Sequence, residues 1–216
     1  MEFIRKRPKS AILILCLLYI IGVVGLSLEL TRELFKAAVP YTLLLSLALL
    51  AIFHEKYTLR FIILALFFFI AGIAIEILGV TTGKVFGHYT YGNTLGMKVF
   101  DTPIMIGVNW LTLVYMVWIM LSGLKFHTII ISLLGAALMV FYDLFMEPVA
   151  IWTDMWTWRD VEVPLQNYIA WFVVSFIFIL LLGWLSPGIR NKIAPPLFII
   201  QLVFFIALNI VIKLFF

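Results

Sequence analysis

The chain has few charged residues. Asp, Glu, Lys and Arg make up 12% of its 216 residues, about half of the roughly 25% that is usual in soluble domains. Hydrophobic residues make up 65%, more apolar surface than a soluble core of this size requires. The scarcity of charge therefore excludes an ordinary soluble domain and indicates that the bilayer is the solvent. The net charge of +4 includes a basic start at residues 5–9, which favours a topology signal over a nucleic-acid surface, so we expect no nucleic-acid partner.

Cysteine and histidine are also scarce. The one cysteine, Cys16, excludes a disulfide within the chain and lies in an apolar run, where it serves packing. The three histidines do not form the HxxxH or HxxHH ligand sets of membrane di-iron enzymes. Two of them, His54 and His127, fall in predicted turns, where exposure to water is expected. No Ser–His–Asp arrangement or phosphate-binding glycine loop is present, and we expect neither a metal nor a cofactor.

Seven apolar stretches approach the length of about 20 residues that a helix needs to cross a bilayer. They cover residues 10–28, 37–53, 60–79, 103–122, 127–147, 168–186 and 195–215. The sequence therefore predicts an all-α fold, in which residues 1–216 form a single integral membrane domain with about seven transmembrane helices. A basic start is also typical of a signal peptide. The first stretch lacks a small-residue cleavage signature, so we expect an uncleaved helix.

The distribution of Lys and Arg favours one orientation. With the N-terminus inside the cell, nine of these residues lie on the cytoplasmic side and six on the other side, as the positive-inside rule prefers. We therefore expect a multi-pass protein of the cell (inner) membrane with a cytoplasmic N-terminus.

Three carboxylates interrupt the apolar stretches: Glu76, Asp143 and Glu147. A charge at membrane depth costs several kcal/mol, so such residues usually face a bundle interior and have a function. Asp143 and Glu147 are four residues apart and therefore share a helix face. The predicted topology places all three near the outer side, where Asp101 and Asn109 flank the start of the fourth span. The alternative to a functional role is that these acids are exposed to water at helix ends, or are buried and hydrogen-bonded to neighbouring groups.

Two long connections, residues 80–102 and 148–167, emerge on this same side and contain aromatic residues. Indole faces stabilise cations, and a carboxylic acid in an apolar site can stay protonated at neutral pH. Acids beside indoles therefore favour proton-initiated chemistry on an isoprenoid alkene. The tryptophans could equally be interfacial anchors, and a proton pathway or a transporter could use the same acids.

The same residues resemble a known family. Two groups of motifs are similar to those of the membrane carotenoid biosynthesis proteins that include carotenoid 1,2-hydratases. The first group is Glu76-x-x-Gly79, Phe86-Gly87-x-Tyr89-x-Tyr91 and Leu95-Gly96. The second group is Asp143-x-x-x-Glu147-Pro148-x-Ala150, Trp156-x-Trp158 and Val163-Pro164-x-x-Asn167. The resemblance covers roughly half of the chain. Two positions depart from the family pattern, since Asp101 precedes Thr102-Pro103 and Glu162 replaces a glycine.

The resemblance implies the addition of water to the terminal C1=C2 bond of an acyclic carotenoid taken from the bilayer. It implies Asp143 as first choice for the proton donor and Glu76 as second, with Glu147 or Asp101 orienting the water. The implied substrate-binding residues are Asn109, Trp110, Tyr89, Tyr91, Trp156, Trp158 and Asn167. A cyclase-like reaction that ends in proton loss remains open, as do membrane lipids, a homo-oligomer or other carotenoid enzymes as partners.

Overall fold

Helices dominate the computed structural model, which describes residues 5–160 and 162–215. Within these residues, seven helices are long and apolar enough to cross a membrane. They are α1 (Pro8–Ser27), α2 (Glu29–Phe53), α3 (Leu59–Thr82), α4 (Ile104–Ser122), α5 (Thr128–Trp152), α6 (Leu165–Leu185) and α7 (Ala194–Phe215). The prediction of an all-α membrane bundle with seven spans is confirmed.

Helices α2 and α5 extend furthest beyond their predicted bounds. Helix α2 begins at Glu29 instead of residue 37, because its first turns contain charged residues that a hydropathy criterion leaves out; Lys36 forms an ion pair there with Glu33 at 3.0 Å. Helix α5 continues through Pro148 to Trp152 instead of ending at residue 147. Glu147 therefore lies more than a turn inside α5 and not at its end.

Helix α4 lies at the centre of the bundle. In its spanning segment 61% of the residues are buried, against 11–44% in the other six helices. Helix α3 packs closely against it through glycines: a Cβ atom at Gly72 would lie 2.8 Å from Cβ of Trp110, and one at Gly107 would lie 2.6 Å from the backbone oxygen of Phe69. Such distances leave no room for a side chain, so these glycines set the contact between α3 and α4.

In the described part of the chain, four short strands lie at one end of the bundle: β1 (Tyr89–Tyr91), β2 (Lys98–Val99), β3 (Thr102–Pro103) and β4 (Trp156–Trp158). Strands β1 and β4 pair antiparallel, with Tyr89 opposite Trp158 and Tyr91 opposite Trp156. This pairing joins the two long connections that follow α3 and α5. Strands β2 and β3 form a separate hairpin.

The expectation that His54 is exposed is wrong. Only 1% of its surface is accessible, because it lies where the end of α2 meets α3 and α4. Its Nδ1 is 2.7 Å from the Tyr115 hydroxyl, its Nε2 is 2.9 Å from the Lys56 carbonyl, and its ring stacks on Phe61. Burial lowers the pKa of His54 below its ordinary value. His127 is exposed as predicted, at the start of α5.

Candidate active site

Glu76 is held by three hydrogen-bond donors. It lies near the end of α3 with 4% of its surface exposed. Its Oε2 accepts hydrogen bonds from the hydroxyls of Tyr89 at 2.6 Å and Tyr91 at 2.7 Å, and its Oε1 accepts one from Nε1 of Trp110 at 3.0 Å. Burial and then the Glu76 carboxylate raise the pKa of both tyrosines. The two phenols therefore remain protonated and act as donors.

Glu147 has a similar arrangement on α5. Its Oε2 accepts hydrogen bonds from Nε1 of Trp156 at 2.9 Å and Nε1 of Trp158 at 2.8 Å. Its Oε1 accepts a longer one, 3.3 Å, from Nδ2 of Asn167. Each of these three side chains is at least nine-tenths buried. Neutral donors thus hold both glutamates, which satisfies much of their hydrogen-bonding capacity in an apolar setting.

Asp143 lies one turn from Glu147 on the same face of α5 and is fully buried. Its Oδ2 accepts a hydrogen bond from Nδ2 of Asn167 at 2.8 Å. Its Oδ1 has no hydrogen-bond partner among the residues that the structure describes. Since the same amide nitrogen donates to both acids, Asn167 couples Asp143 to Glu147.

The pairing of β1 with β4 explains why two tyrosines and two tryptophans reach these acids. Side chains two residues apart in a strand point to the same side, so β1 presents Tyr89 and Tyr91 together and β4 presents Trp156 and Trp158 together. Their rings contact across the ladder, with centroids 5.0 Å apart for Tyr89 and Trp158 and 6.0 Å apart for Tyr91 and Trp156. One two-stranded ladder therefore supplies donors to two acids on different helices.

The two glutamates line a common cavity, which we call the acid pocket. Its free volume is about 20 Å³, room for roughly one water molecule. Its lining also includes Tyr89, Tyr91, Asn109, Trp110, Trp156, Trp158, Asn167 and Trp171. Asp143 is not part of this lining and lies next to it, beyond Asn167. The acid pocket is therefore bounded by two carboxylates, several aromatic rings and two side-chain amides.

A second, larger cavity adjoins the acid pocket. We call it the apolar groove; its free volume is about 160 Å³, and it is lined by residues of α1, α2, α4, α5 and α7 together with the two connections. Its lining is mostly aliphatic and aromatic, with a small polar group where the Gln201 amide donates to the Tyr19 hydroxyl at 2.8 Å. Ile106, Asn109, Met146 and Trp156 line both cavities. A lipophilic molecule in the groove would therefore reach the acid pocket with one end.

The structure brings together ten of the eleven side chains named from the sequence. Nine line the acid pocket and Asp143 lies behind it; their chemical roles stay predictions. Asp101 does not join them, and its expected position beside the acids needs correction. It is exposed in the two-residue turn between β2 and β3, where Phe100 and Asp101 have φ values of 48° and 60°. Positive φ at both positions is typical of a type I′ hairpin turn, which directs Asp101 away from the cavity.

Trp171 was not among the site residues predicted from the sequence. Trp171 lies in the wall of the acid pocket and stacks on Trp110 with ring centroids 4.5 Å apart. The signal was present, since Trp171 follows Asn167 by four residues and so shares its helix face. The groove residues of α1 were also missed, because nothing in an apolar helix distinguishes a cavity wall from a lipid-facing surface.

Metal ligands are not grouped in the part of the chain that the structure describes. No three of its His, Cys, Asp and Glu residues lie close enough together to hold a metal ion. The cavities themselves suit different molecules: the apolar groove suits part of a hydrocarbon chain, and the acid pocket has room for about one water molecule.

Comparisons with known proteins place the chain among related sequences. A family described as "Carotenoid biosynthesis protein" matches residues 37–216. A bisanhydrobacterioruberin hydratase of Haloarcula japonica is 31% identical over 145 residues, which are 62% of this chain and 50% of the relative. The chain thus spans about half the length of that relative. No solved structure matches the chain.

Proposed function

The chain belongs to the carotenoid biosynthesis protein family, and on this basis we propose that it adds water to the terminal C1=C2 bond of an acyclic carotenoid end group. The hydratase named among its relatives supports the reaction class. The observation that carries the proposal is the junction of two cavities, where an acid pocket with two buried glutamates adjoins an apolar groove.

The groove suits a carotenoid taken from the bilayer. Helices α1 and α2 form one of its walls, with Leu18, Gly22 and Leu26 on α1 and Phe35 and Val39 on α2. Burial of apolar surface stabilises a hydrocarbon chain in such a groove by about 25 cal/mol per Å². The end of the chain then lies against Ile106 and Met146, at the junction with the acid pocket.

Glu147 is the proposed proton donor. The sequence favoured Asp143, but of the two acids on α5 only Glu147 lines the acid pocket. Two carboxyl groups that share one amide donor in an apolar site can hold one proton between them. Asp143 therefore serves as the partner that keeps a proton available to Glu147, and Asn167 positions both carboxyl groups.

The reaction then follows from the groups around the pocket. Glu147 transfers its proton to C2, the π electrons form the new C–H bond, and a tertiary cation is left at C1. The indoles of Trp156 and Trp158 and the Glu76 carboxylate stabilise this positive charge. Water attacks C1 and gives its extra proton to the Glu147 carboxylate, which restores the acid. The product is a tertiary alcohol, Glu147 is regenerated, and water is the one co-reactant that is consumed.

Expression in a lycopene-producing host tests the proposal. The expected product is heavier than lycopene by one or two water molecules and carries a tertiary hydroxyl at the hydrated end, as shown by mass spectrometry and NMR. An isomer of unchanged mass with a cyclic end group would instead identify a cyclase. Pigment identical to that of a host with an empty vector would favour the transporter interpretation of the acids.

We also propose that the N-terminus is cytoplasmic and that the acid pocket lies near the outer side of the membrane. The excess of Lys and Arg on the side that would face the cytoplasm supports this orientation. The orientation can be tested with two reporter fusions, one in the turn that contains Lys125 and one in the connection that contains Lys84. The proposal expects a cytoplasmic signal from the first fusion and an external signal from the second.

A further inference from the structure

We propose that Asn109 determines the product by holding the water molecule that captures the carbocation. This inference rests on the proposed hydration and concerns only its second half, in which water capture competes with the loss of a proton. It starts from the position of Asn109 at the junction of the acid pocket and the apolar groove.

Helix α4 places two different groups at this junction. Asn109 and Ile106 are three residues apart and share a helix face, and both line both cavities. The next residue, Trp110, points to another side, where its Nε1 donates to Glu76 and its ring stacks on Trp171. The Asn109 amide therefore lies where the end of a substrate would pass from the groove into the acid pocket.

The Asn109 side chain has unused hydrogen-bonding capacity. Its backbone oxygen accepts a hydrogen bond from the Thr112 hydroxyl at 3.1 Å, but its amide group has no partner among residues 5–160 and 162–215. Asn167, the other amide in the pocket lining, already donates to both Asp143 and Glu147. A half-buried amide without a partner in an apolar passage is suited to bind water.

The acids provide the second partner that a bound water requires. Each Oε2 atom of Glu76 and Glu147 already accepts two hydrogen bonds. Each Oε1 atom accepts only one, from Trp110 at 3.0 Å or from Asn167 at 3.3 Å, and keeps a free lone pair. A water that donates to one of these oxygens and accepts from the Asn109 amide has the two partners that a buried water needs. Its remaining lone pair is free to attack the cation.

The absence of this water would change the product and not the protonation step. When water is present, its lone pair forms the C1–O bond and its extra proton goes to Glu147. Without water, a C–H bond next to the cation breaks, its electrons form a new C=C bond, and its proton returns to Glu147. That second route gives an isomer of the substrate, or the substrate itself. The Asn109 amide therefore governs how the cation partitions between hydration and proton loss.

The variant Asn109→Leu tests this inference, because leucine has a similar size and no hydrogen-bonding group. The purified protein is placed in lipid vesicles with lycopene in D2O, and mass spectrometry measures hydrated product and deuterium in the unhydrated carotenoid. We expect about a threefold to tenfold fall in hydrated product, the effect of one lost hydrogen bond. Deuterium in the unhydrated carotenoid should rise, because protonation and deprotonation continue.

Two further variants complete the experiment. Asn109→Ser keeps a hydroxyl that can hold water and should hydrate more than Asn109→Leu, and Asp101→Asn is the control at an exposed position. Unchanged hydration by Asn109→Leu would overturn the inference. Loss of both hydration and deuterium exchange would overturn it too, since Asn109 would then be needed before water capture. A wild-type protein that yields no hydrated product would instead refute the proposed function itself.

Discussion

Tyr89 and Trp158 lie directly opposite each other in the antiparallel β1–β4 ladder, and each donates a hydrogen bond to a different buried carboxylate. Tyr89 donates to Glu76 on α3 at 2.6 Å and Trp158 donates to Glu147 on α5 at 2.8 Å. Their ring centroids are 5.0 Å apart. The ladder therefore fixes the position of one acid relative to the other, and a displacement of either strand would disturb both.

The indole donors to Glu147 should matter for the reaction. Trp158→Phe keeps an aromatic ring but removes one of the two hydrogen bonds to Oε2. A hydrogen bond to a charged group contributes about 1.5–3 kcal/mol, so we expect hydration to slow by about tenfold to a hundredfold. The measurement is the initial rate of product formation in membranes. Trp184→Phe is the matched control because Trp184 is 57% exposed; equal rates for the two variants would contradict the assignment.

Gly79 should be intolerant of a methyl group. A Cβ atom there would lie 2.7 Å from the Phe86 ring and 2.9 Å from the Tyr89 hydroxyl, so Gly79→Ala should push Tyr89 away from Glu76. We expect lower hydration and a loss of about 1–3 kcal/mol in the free energy of unfolding, as in other overpacked sites. Thermal unfolding in detergent checks the second effect. Gly188→Ala, which has nothing within 4 Å of the added atom, should behave as the wild type.

Filling the groove should block the substrate without touching the acids. Val39 lines the groove from α2, so Val39→Trp should reduce conversion of lycopene strongly while the protein remains folded. Tyr41→Trp adds a similar ring on the same helix at a position that is 73% exposed, and it should leave conversion intact. Product yield at matched protein levels decides the matter. If both variants convert lycopene equally well, the groove is not the substrate site.

His54 should make the stability of the protein dependent on pH. Burial lowers its pKa in the folded state below the ordinary value of 6.5, so the unfolded chain binds more protons than the folded one as the pH falls through that value. The stability contributed by neutral His54 is complete above about pH 6.5 and is lost progressively below it. The free energy of unfolding in detergent, measured from about pH 8 to about pH 5, should fall in the wild type. In His54→Gln the fall should be smaller, whereas exposed His88→Gln should match the wild type.

The sequence predicted the helices well because their signal is local. Each span is a continuous apolar run, and only the ends differ, as at the charged first turns of α2 and at Pro148 within α5. The resemblance to carotenoid biosynthesis proteins is confirmed by the match over residues 37–216. The shared helix face of Asp143 and Glu147 also follows directly from their spacing.

The organisation of the acid pocket could not be predicted in the same way. The alternating tyrosines of β1 and tryptophans of β4 are visible in the sequence, but their pairing joins distant parts of the chain and depends on tertiary structure. Asp101 was misplaced because its turn lacks the Asn-Gly or Asp-Gly signature of a type I′ hairpin. Glu147 is preferred to Asp143 as the proposed proton donor because it lines the cavity. The spacing of the two acids in the sequence does not show which of them does so.

The central claim is that Glu147 protonates the carotenoid end group in the acid pocket. The most direct test is the product formed by Glu147→Gln in a lycopene-producing host, with Asp101→Asn as the control acid and with both proteins present at equal levels. Glutamine keeps the size of the side chain and can still accept hydrogen bonds from Trp156 and Trp158, but it cannot donate an acidic proton. The account predicts no hydrated carotenoid from Glu147→Gln and normal product from Asp101→Asn; hydrated product from Glu147→Gln at the wild-type level would contradict it.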